Sequence, residues 1–218
     1  SVLMELPVAD GSANQVLKTD GGGNLDWVAG GISGIDGLSD AKSEGTNFTG
    51  SLLVGHQTTG TLSQAQYNTG VGFTALDAIT EGDYNAALGY GSLGAITTGD
   101  NNTAVGANAS QNITIGSQNT SVGRYSLRLN TEGDGNTTAG YYSLYNNSSG
   151  DYNTALGYQA GDVITTGTNN VIIGYLADPS ANSGANQIVI GKSAVGGGDN
   201  TAVIGNTDIT AWLPPDDN

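Results

Sequence analysis

Carboxylates are the most abundant titratable residues of this chain, and some of them recur at a fixed spacing. Asp83, Asp100, Asp134 and Asp151 each follow a glycine, and the interval between the middle two is twice that of the outer pairs. Carboxylate files of this kind can bind a cation such as calcium, which takes oxygen ligands. The Gly-Gly-x-Gly-x-Asp nonapeptide of calcium-binding rolls is not repeated here. These four residues are therefore only weak candidates for a metal site, and no cofactor is expected.

The residue types of a catalytic site are present, but their spacing does not suggest one. The only histidine, His56, has no serine, cysteine or carboxylate partner at a telling spacing. Paired carboxylates could indicate a glycosidase, but the acidic residues here recur with a repeat and occupy its turns. The chain has no cysteine, which argues against a disulfide framework and a thiolate metal site. We therefore expect no catalytic residues and no enzymatic activity.

The charge balance limits the partners. The 218 residues include 20 acidic and 5 basic ones, for a net charge of −15. The basic residues are scattered along the sequence: Lys18, Lys42, Arg124, Arg128 and Lys192. We expect no nucleic-acid partner for such a chain, because phosphate binding needs clustered Lys and Arg. No apolar run approaches the roughly 20 residues that span a bilayer, so no membrane insertion is expected.

Two sets of glycines indicate which elements must position these side chains. The main set is Gly55, Gly72, Gly89, Gly106, Gly123, Gly140, Gly157, Gly174 and Gly191, and the second set, seven residues earlier, is Gly82, Gly99, Gly116, Gly133, Gly150, Gly167 and Gly184. A fixed period of this length is typical of a solenoid, in which each unit is one coil stacked on the next. The last unit, from Gly191 to Gly205, is three residues shorter than the others. The sequence therefore predicts an all-β solenoid or β-roll with 17-residue coils.

The three residues before each main glycine predict a short strand. The position next to the glycine is apolar, as in Val71, Leu88 and Val122, and is expected in the core. The position two residues earlier, mostly threonine as in Thr69, should share that face because side chains alternate along a strand. The small residues between them (Gly70, Ala87, Ala104, Ser121, Thr138 and Ala155) are then expected on the opposite face, where a neighbouring subunit could approach.

Seven asparagines stand four residues before successive main glycines. They are Asn68, Asn85, Asn102, Asn119, Asn136, Asn153 and Asn170, and Gln187 follows them. Identical positions of stacked coils lie about 4.8 Å apart, a distance that suits amide side chains bonded up and down a ladder. We therefore expect a structural ladder.

Two further patterns predict bends and turns. Small residues three positions after the main glycine should occupy a bend, and the leucines that follow them (Leu76, Leu93, Leu127 and Leu144) should fill the coil interior. The recurring Thr-x-Gly-Asp around the second glycine predicts a turn in which glycine supplies a positive φ and aspartate bonds local backbone N–H groups.

Aromatic residues form two files. One follows the main glycine (Phe73, Tyr90, Tyr141, Tyr158 and Tyr175), and another precedes it by five residues (Tyr67, Tyr84 and Tyr152). An exposed tyrosine can stack on the apolar face of a sugar while its hydroxyl stays in water. Tyr90, Tyr141, Tyr158 and Tyr175 are therefore candidates for binding a receptor glycan. The more common role of such rings is packing between coils or subunits.

The sequence divides into three parts. Residues 1–50 predict a connector with short β or extended segments such as Gln15-Val-Leu-Lys and Leu25-Asp-Trp-Val, separated by glycine-rich turns. Residues 51–205 predict the β-roll, with about nine 17-residue coils and a final coil of 14. Residues 206–218 form a tail with two prolines.

The repeat resembles known fibrous proteins. The units Asn102-Thr-Ala-Val-Gly-Ala-Asn-Ala and Asn153-Thr-Ala-Leu-Gly-Tyr-Gln-Ala resemble the head repeat of YadA-like trimeric adhesins. The leading Asn-Thr and the aromatic after the glycine are more similar to bacteriophage tail-fibre proteins. The stretch from Pro7 to Val28 also resembles a segment of phage fibres.

This resemblance implies a homotrimeric β-roll fibre, located in the virion tail, that attaches to a receptor on the host cell surface. It also implies contacts with other tail proteins through the N-terminal side. The alternatives are the head of a trimeric bacterial surface adhesin and an ice-binding solenoid. Ice binding needs a flat, regular pair of threonine ranks, and here the threonine file is interrupted at Ala86, Val171 and Ile188.

Overall fold

The structure is a computed structural model that describes residues 15–19, 25–29, 41–43, 51–54 and 64–208. All regular elements within these ranges are β-strands. β1 (Gln15–Thr19) and β2 (Leu25–Ala29) pair antiparallel, which confirms the two short segments expected there. No helix in the described part of the chain has the length and apolar character needed to cross a membrane.

Eleven short strands form one sheet in chain order. They are β3 (Ala41–Ser43), β4 (Leu52–Val54), β5 (Thr69–Val71), β6 (Ala86–Leu88), β7 (Thr103–Val105), β8 (Thr120–Val122), β9 (Thr137–Ala139), β10 (Thr154–Leu156), β11 (Val171–Ile173), β12 (Ile188–Ile190) and β13 (Ala202–Ile204). β3 runs antiparallel to β4, and every later pair is parallel. Each strand from β5 to β13 ends one residue before a glycine, as expected.

The register of the strands confirms the 17-residue coil. From β4 to β12 there are eight steps of this length, such as Thr103 opposite Thr120. The step from Ile188 to Ala202 is three residues shorter. The count of about nine full coils was therefore one too high. Between the strands, turns bond coil to coil through the backbone, as in the N–H of Leu93 to the carbonyl of Ala109 at 3.1 Å.

The strand face that points inward is the opposite of the one expected. The middle residues of the strands are buried, for example Ala104, Ser121 and Ala155. The apolar residues next to the glycines point outward, with Leu88 52% exposed and Val122 44% exposed. The predicted burial of these apolar and threonine positions was therefore wrong, and the small residues face the coil interior instead of a partner.

The physical reason is the limited volume inside the coil. The turns already fill it with fully buried side chains, which include Leu76, Leu93, Leu127, Leu144, Ile79, Ile96, Ile113 and Ile164. A Cβ on Gly70 would lie only 3.2 Å from Cδ1 of Leu76. Interiors pack closely, so a larger strand residue has no space beside these leucines. The prediction that the leucines fill the interior is confirmed.

The asparagine ladder is also confirmed, and its bonds are buried. Oδ1 of Asn85 accepts two hydrogen bonds from Asn102, one from the backbone N–H at 2.9 Å and one from Nδ2 at 3.1 Å. Nδ2 of Asn102 also donates to the carbonyl of Gly116 at 2.9 Å. Each buried amide thus satisfies backbone groups of neighbouring coils, which buried polar groups require.

The two glycine sets have different physical causes. The main glycines from Gly72 to Gly191 have positive φ, such as +138° at Gly157, where an added Cβ would also lie 2.7 Å from the carbonyl carbon of Gly174. The second glycines are not among the residues with positive φ, so the positive φ predicted for them was wrong. They lack a side chain because the next coil fills the space. A Cβ on Gly167 would lie 2.5 Å from the carbonyl oxygen of Gly184.

Candidate binding surface

The aromatic file after the main glycines forms an exposed stack beside the ends of the strands. The rings of Tyr141 and Tyr158 stack with centroids 5.4 Å apart, and those of Tyr158 and Tyr175 stack at 5.3 Å. All three side chains are exposed. Tyr90 stacks on Phe73 at 5.9 Å, in coils that precede this group. The structure therefore brings three of the four candidate tyrosines together and leaves Tyr90 apart.

The second aromatic file lies in a turn. Tyr67 and Tyr84 stack with centroids 4.9 Å apart, and Tyr152 is exposed. All three have positive φ, between 55° and 57°. The Tyr152 ring covers Gly135, where a Cβ would lie 2.5 Å from a ring carbon. These contacts between coils assign this file a packing role.

Between Tyr90 and Tyr158 lies a group that sequence reasoning missed, the arginine–tyrosine cluster of Arg124, Tyr125, Arg128, Tyr142 and Tyr145. The guanidinium carbon of Arg124 lies 4.4 Å from the ring centroid of Tyr125, and that of Arg128 lies 5.0 Å from it. The rings of Tyr142 and Tyr145 stack at 4.4 Å. Nη1 of Arg128 donates to the hydroxyl of Tyr145 at 3.1 Å. A cation over the face of an aromatic ring is attracted to it by the ring quadrupole.

The repeat itself assembles this cluster. Tyr125 and Tyr142 occupy the same position of consecutive coils, and so do Arg128 and Tyr145. The signal was present in the sequence, since the only two arginines stand four residues apart and a tyrosine stands one repeat after each of them. The interpretation of the basic residues as scattered was therefore wrong for this pair. Desolvation and a hydrogen bond with Tyr141 raise the pKa of Tyr142 above its ordinary value of 10.0.

The aspartates after the second glycines link coils. Oδ1 of Asp100 accepts the backbone N–H of Asp83 at 2.7 Å, and Oδ1 of Asp151 accepts that of Asp134 at 2.8 Å. In the same way, Oδ1 of Asp83 accepts the backbone N–H of Gln66 and Oδ1 of Asp134 accepts that of Ser117, each from the preceding coil. Each partner lies one full coil away, so the expected bonds to local backbone were wrong.

These contacts also bear on the proposed cation site. Each of the four aspartates already uses one oxygen for a backbone N–H. Within the described ranges, no group of three or more His, Cys, Asp or Glu side chains lies close enough to hold a metal ion. The four aspartates therefore remain weak candidates whose observed contacts are structural.

Two other carboxyl groups have shifted pKa values. Burial raises the pKa of Asp178 to about 6, the negative charge of Asp162 adds to this shift, and a hydrogen bond from the backbone of Val163 opposes it. Burial also raises the pKa of Asp162, against a hydrogen bond from Gln159. Oδ1 of Asp178 is buried and has no hydrogen-bond partner. Burial removes the water that would stabilise the negative charge, so a buried carboxyl group favours its neutral, protonated form.

His56 and residues 209–218 lie outside the described residues, so the predictions made for them are not tested. In the part of the chain that the structure describes, the functional candidates are the stacked tyrosines and the arginine–tyrosine cluster. No protein-family model, curated protein or solved structure matches this chain.

Proposed function

We propose that this chain is a structural and receptor-binding segment of a homotrimeric viral tail fibre, located in the extracellular part of the virion, with no enzymatic activity. It attaches to the host cell surface through its outer side and joins other tail proteins on its N-terminal side. The head of a trimeric bacterial surface adhesin is the alternative with the same architecture. The resemblance of the repeats to phage fibres and trimeric adhesin heads supports the proposal.

The single observation that carries the proposal is the outward face of the parallel strands. Val71, Leu88, Val122, Leu156 and Ile188 point away from the coil interior and are exposed. Ten parallel strands at about 4.8 Å spacing make this apolar face about 43 Å long. A continuous exposed apolar surface of this kind marks an interaction site.

We assign this face to two further copies of the same chain. A solenoid has the same outward columns along its whole length, so identical chains can pair along the entire rod. Packing around a threefold axis closes the assembly and leaves no apolar face exposed. The stacked tyrosines lie beside the strand ends, where they remain available for a receptor.

The mass of the particle in solution tests the assembly. Sedimentation of the full chain should show a particle of three times the 21.9 kDa of one chain. Replacing Leu88 and Val122 with Asp should dissociate the particle, because the charges would be desolvated between subunits. Asn146→Asp, on an exposed position away from the strands, should leave it trimeric. A folded wild-type monomer would overturn the proposed assembly.

Attachment is tested separately with the labelled trimer and a panel of bacterial strains. Flow cytometry should show binding to a subset of strains, and Tyr141→Ala with Tyr158→Ala should reduce it while the trimer persists. A trimer that binds no strain in the panel would contradict the attachment role.

Ice binding is a second candidate that one observation favours. Thr103, Thr120, Thr137 and Thr154 are in register on consecutive parallel strands and belong to the outward-facing column, so a single threonine rank runs across four neighbouring strands. Ice binding would need this face free, whereas self-association covers it. Thermal hysteresis of the wild-type protein distinguishes the two, and we expect none.

A further inference from the structure

We propose that the arginine–tyrosine cluster binds an anionic saccharide, with the guanidinium groups holding the negative group and the tyrosine rings packing on the sugar. The inference rests on the proposed function, since it names the chemical class of the receptor. It moves the centre of the site from the tyrosine stack to Arg124, Tyr125, Arg128, Tyr142 and Tyr145.

The charges of the cluster favour an anionic ligand. The chain carries −15, yet both of its arginines stand against one ring, that of Tyr125. Arg124 bonds only the Tyr125 hydroxyl, and Arg128 bonds Gln111 and Tyr145, so neither pairs with a carboxylate among the described residues. Because both cations lie within 5.0 Å of the centroid of one ring, their charges repel each other, and a bound anion would relieve this. The planar guanidinium fork matches a carboxylate, phosphate or sulfate in shape.

The position of Tyr125 and Tyr142 in the repeat has a positive φ in every coil from Thr74 to Ser193. The values at the two tyrosines are 61° and 60°, so this conformation belongs to the repeat. Among these coils, tyrosine occurs at this position only at Tyr125 and Tyr142, next to the arginines. The repeat therefore sets the backbone, and the residue types make the cluster.

An open recess of about 350 Å³ lies next to the cluster and is lined in part by Tyr90, Gly91, Gly94 and Gln111. Gly91 and Gly94 occupy the positions that Tyr125 and Arg128 occupy two coils later, so the recess exists because their side chains are missing. Oε1 of Gln111 accepts Nε of Arg128 at 2.9 Å, which joins the recess to the cluster.

Together these features fit a sugar chain with isolated negative groups. Because the rings of Tyr142 and Tyr145 stack on each other, only their outer faces can pack on the apolar face of a pyranose. The anionic substituent would lie at the two arginines, and the neighbouring sugar would extend towards Tyr90 in the recess. A highly charged polyanion would be repelled by the rest of this acidic surface.

Titration calorimetry of the full-length protein tests the proposal with oligosaccharides of glucuronate, a neutral glucose oligosaccharide of the same length, and its sulfated and phosphorylated forms. We expect at least one anionic form to bind about tenfold or more tightly than the neutral one, because charge-assisted bonds are the stronger ones. Its affinity should fall with rising salt. The anionic form that binds best identifies the negative group.

Three variants locate the site. Arg124→Gln with Arg128→Gln should reduce the affinity for the anionic ligand about tenfold or more and leave any neutral binding unchanged. Tyr142→Asn introduces the residue that Asn108 provides at the same position two coils earlier, so it should weaken binding while preserving the fold. Lys192→Gln removes one positive charge from the same column as Arg124, four coils away, and should not change the affinity.

Equal affinity for anionic and neutral sugars, or unchanged binding by the double arginine variant, would overturn the proposal. The anionic site and the attachment function can be refuted independently of each other. If the double variant still attaches to cells as well as the wild type, the anionic site is wrong and attachment stands. If the wild type binds an anionic oligosaccharide but no cells, the site stands and the attachment function is wrong.

Discussion

Asn136 donates two hydrogen bonds to a single oxygen atom of Asn119, the residue at the same position one coil earlier. The backbone N–H lies 3.0 Å from Oδ1 of Asn119, and Nδ2 lies 3.1 Å from it. Asn119 in turn donates from Nδ2 to the carbonyl of Gly133 at 2.9 Å. One buried amide therefore bonds the backbone at two separate places in the next coil.

Asn119→Ala should destabilise the solenoid strongly. The substitution leaves the buried backbone N–H of Asn136 without its partner, at about 1–3 kcal/mol, whereas the carbonyl of Gly133 keeps its hydrogen bond from Nδ2 of Asn130 at 2.8 Å. The midpoint of urea unfolding, measured at one protein concentration, checks this. Asn146→Ala is the control, since its one side-chain bond is exposed, and should change stability by no more than about 0.5 kcal/mol. Equal effects of the two substitutions would contradict a structural ladder.

Gly157→Ala and Gly198→Ala separate steric exclusion from backbone strain. Both glycines have positive φ, +138° and +121°. A Cβ at Gly157 would meet the backbone of Gly174, whereas a Cβ at Gly198 meets nothing within 4 Å. Gly198→Ala should cost about 1–3 kcal/mol from strain alone, and Gly157→Ala should cost more or prevent folding. Thermal unfolding of both variants measures the difference, and a smaller loss at Gly157 would refute the stacking explanation.

Thr138→Val should stabilise the protein, whereas Ser121→Ala should destabilise it. Both side chains are buried in the same strand column. The hydroxyl of Thr138 has no hydrogen-bond partner, while that of Ser121 accepts from the hydroxyl of Ser110 at 2.7 Å. Removing an unsatisfied buried hydroxyl should gain about 1 kcal/mol, and removing a bonded one should lose about as much. Shifts of the same sign in the unfolding midpoint would contradict this assignment.

Asp178→Asn should raise stability at neutral pH and flatten its dependence on pH. The pKa of Asp178 is about 6 in the folded chain, against an ordinary value of 3.8. Between these two values the folded chain keeps a proton that the unfolded chain has lost, so this group makes stability fall as pH rises from about 4 to about 6. Urea unfolding across this pH range measures the slope. Asp162→Asn should reduce the same slope partly, because it removes the neighbouring charge. An unchanged slope in Asp178→Asn would show that another group titrates there.

Much of the fold was predictable because a stacked coil repeats its contacts at the period of its sequence. The coil length, the strand ends at the main glycines, the asparagine ladder and the inward leucines all follow from columns of identical residues, as in Asn102 and Leu127. The aspartates were harder, since Asp100 could bond either its own turn or a neighbouring coil. Only the stacking distance made the neighbouring coil the partner.

Period and residue type are local information, and they were enough to specify a 17-residue β-solenoid. Which side of each strand becomes the core depends on packing in three dimensions. A three-residue strand such as Ala86–Leu88 permits either orientation, and beside the leucines of the turns the remaining volume admits only a small middle residue. In later coils Gly161 and Asp178 stand at the leucine position, and the larger Ile172 and Val189 are buried in the middle of the strands. That choice exposes the apolar column. Stacking at the same period also brings Arg128 next to Tyr145, although a full coil separates them in the chain.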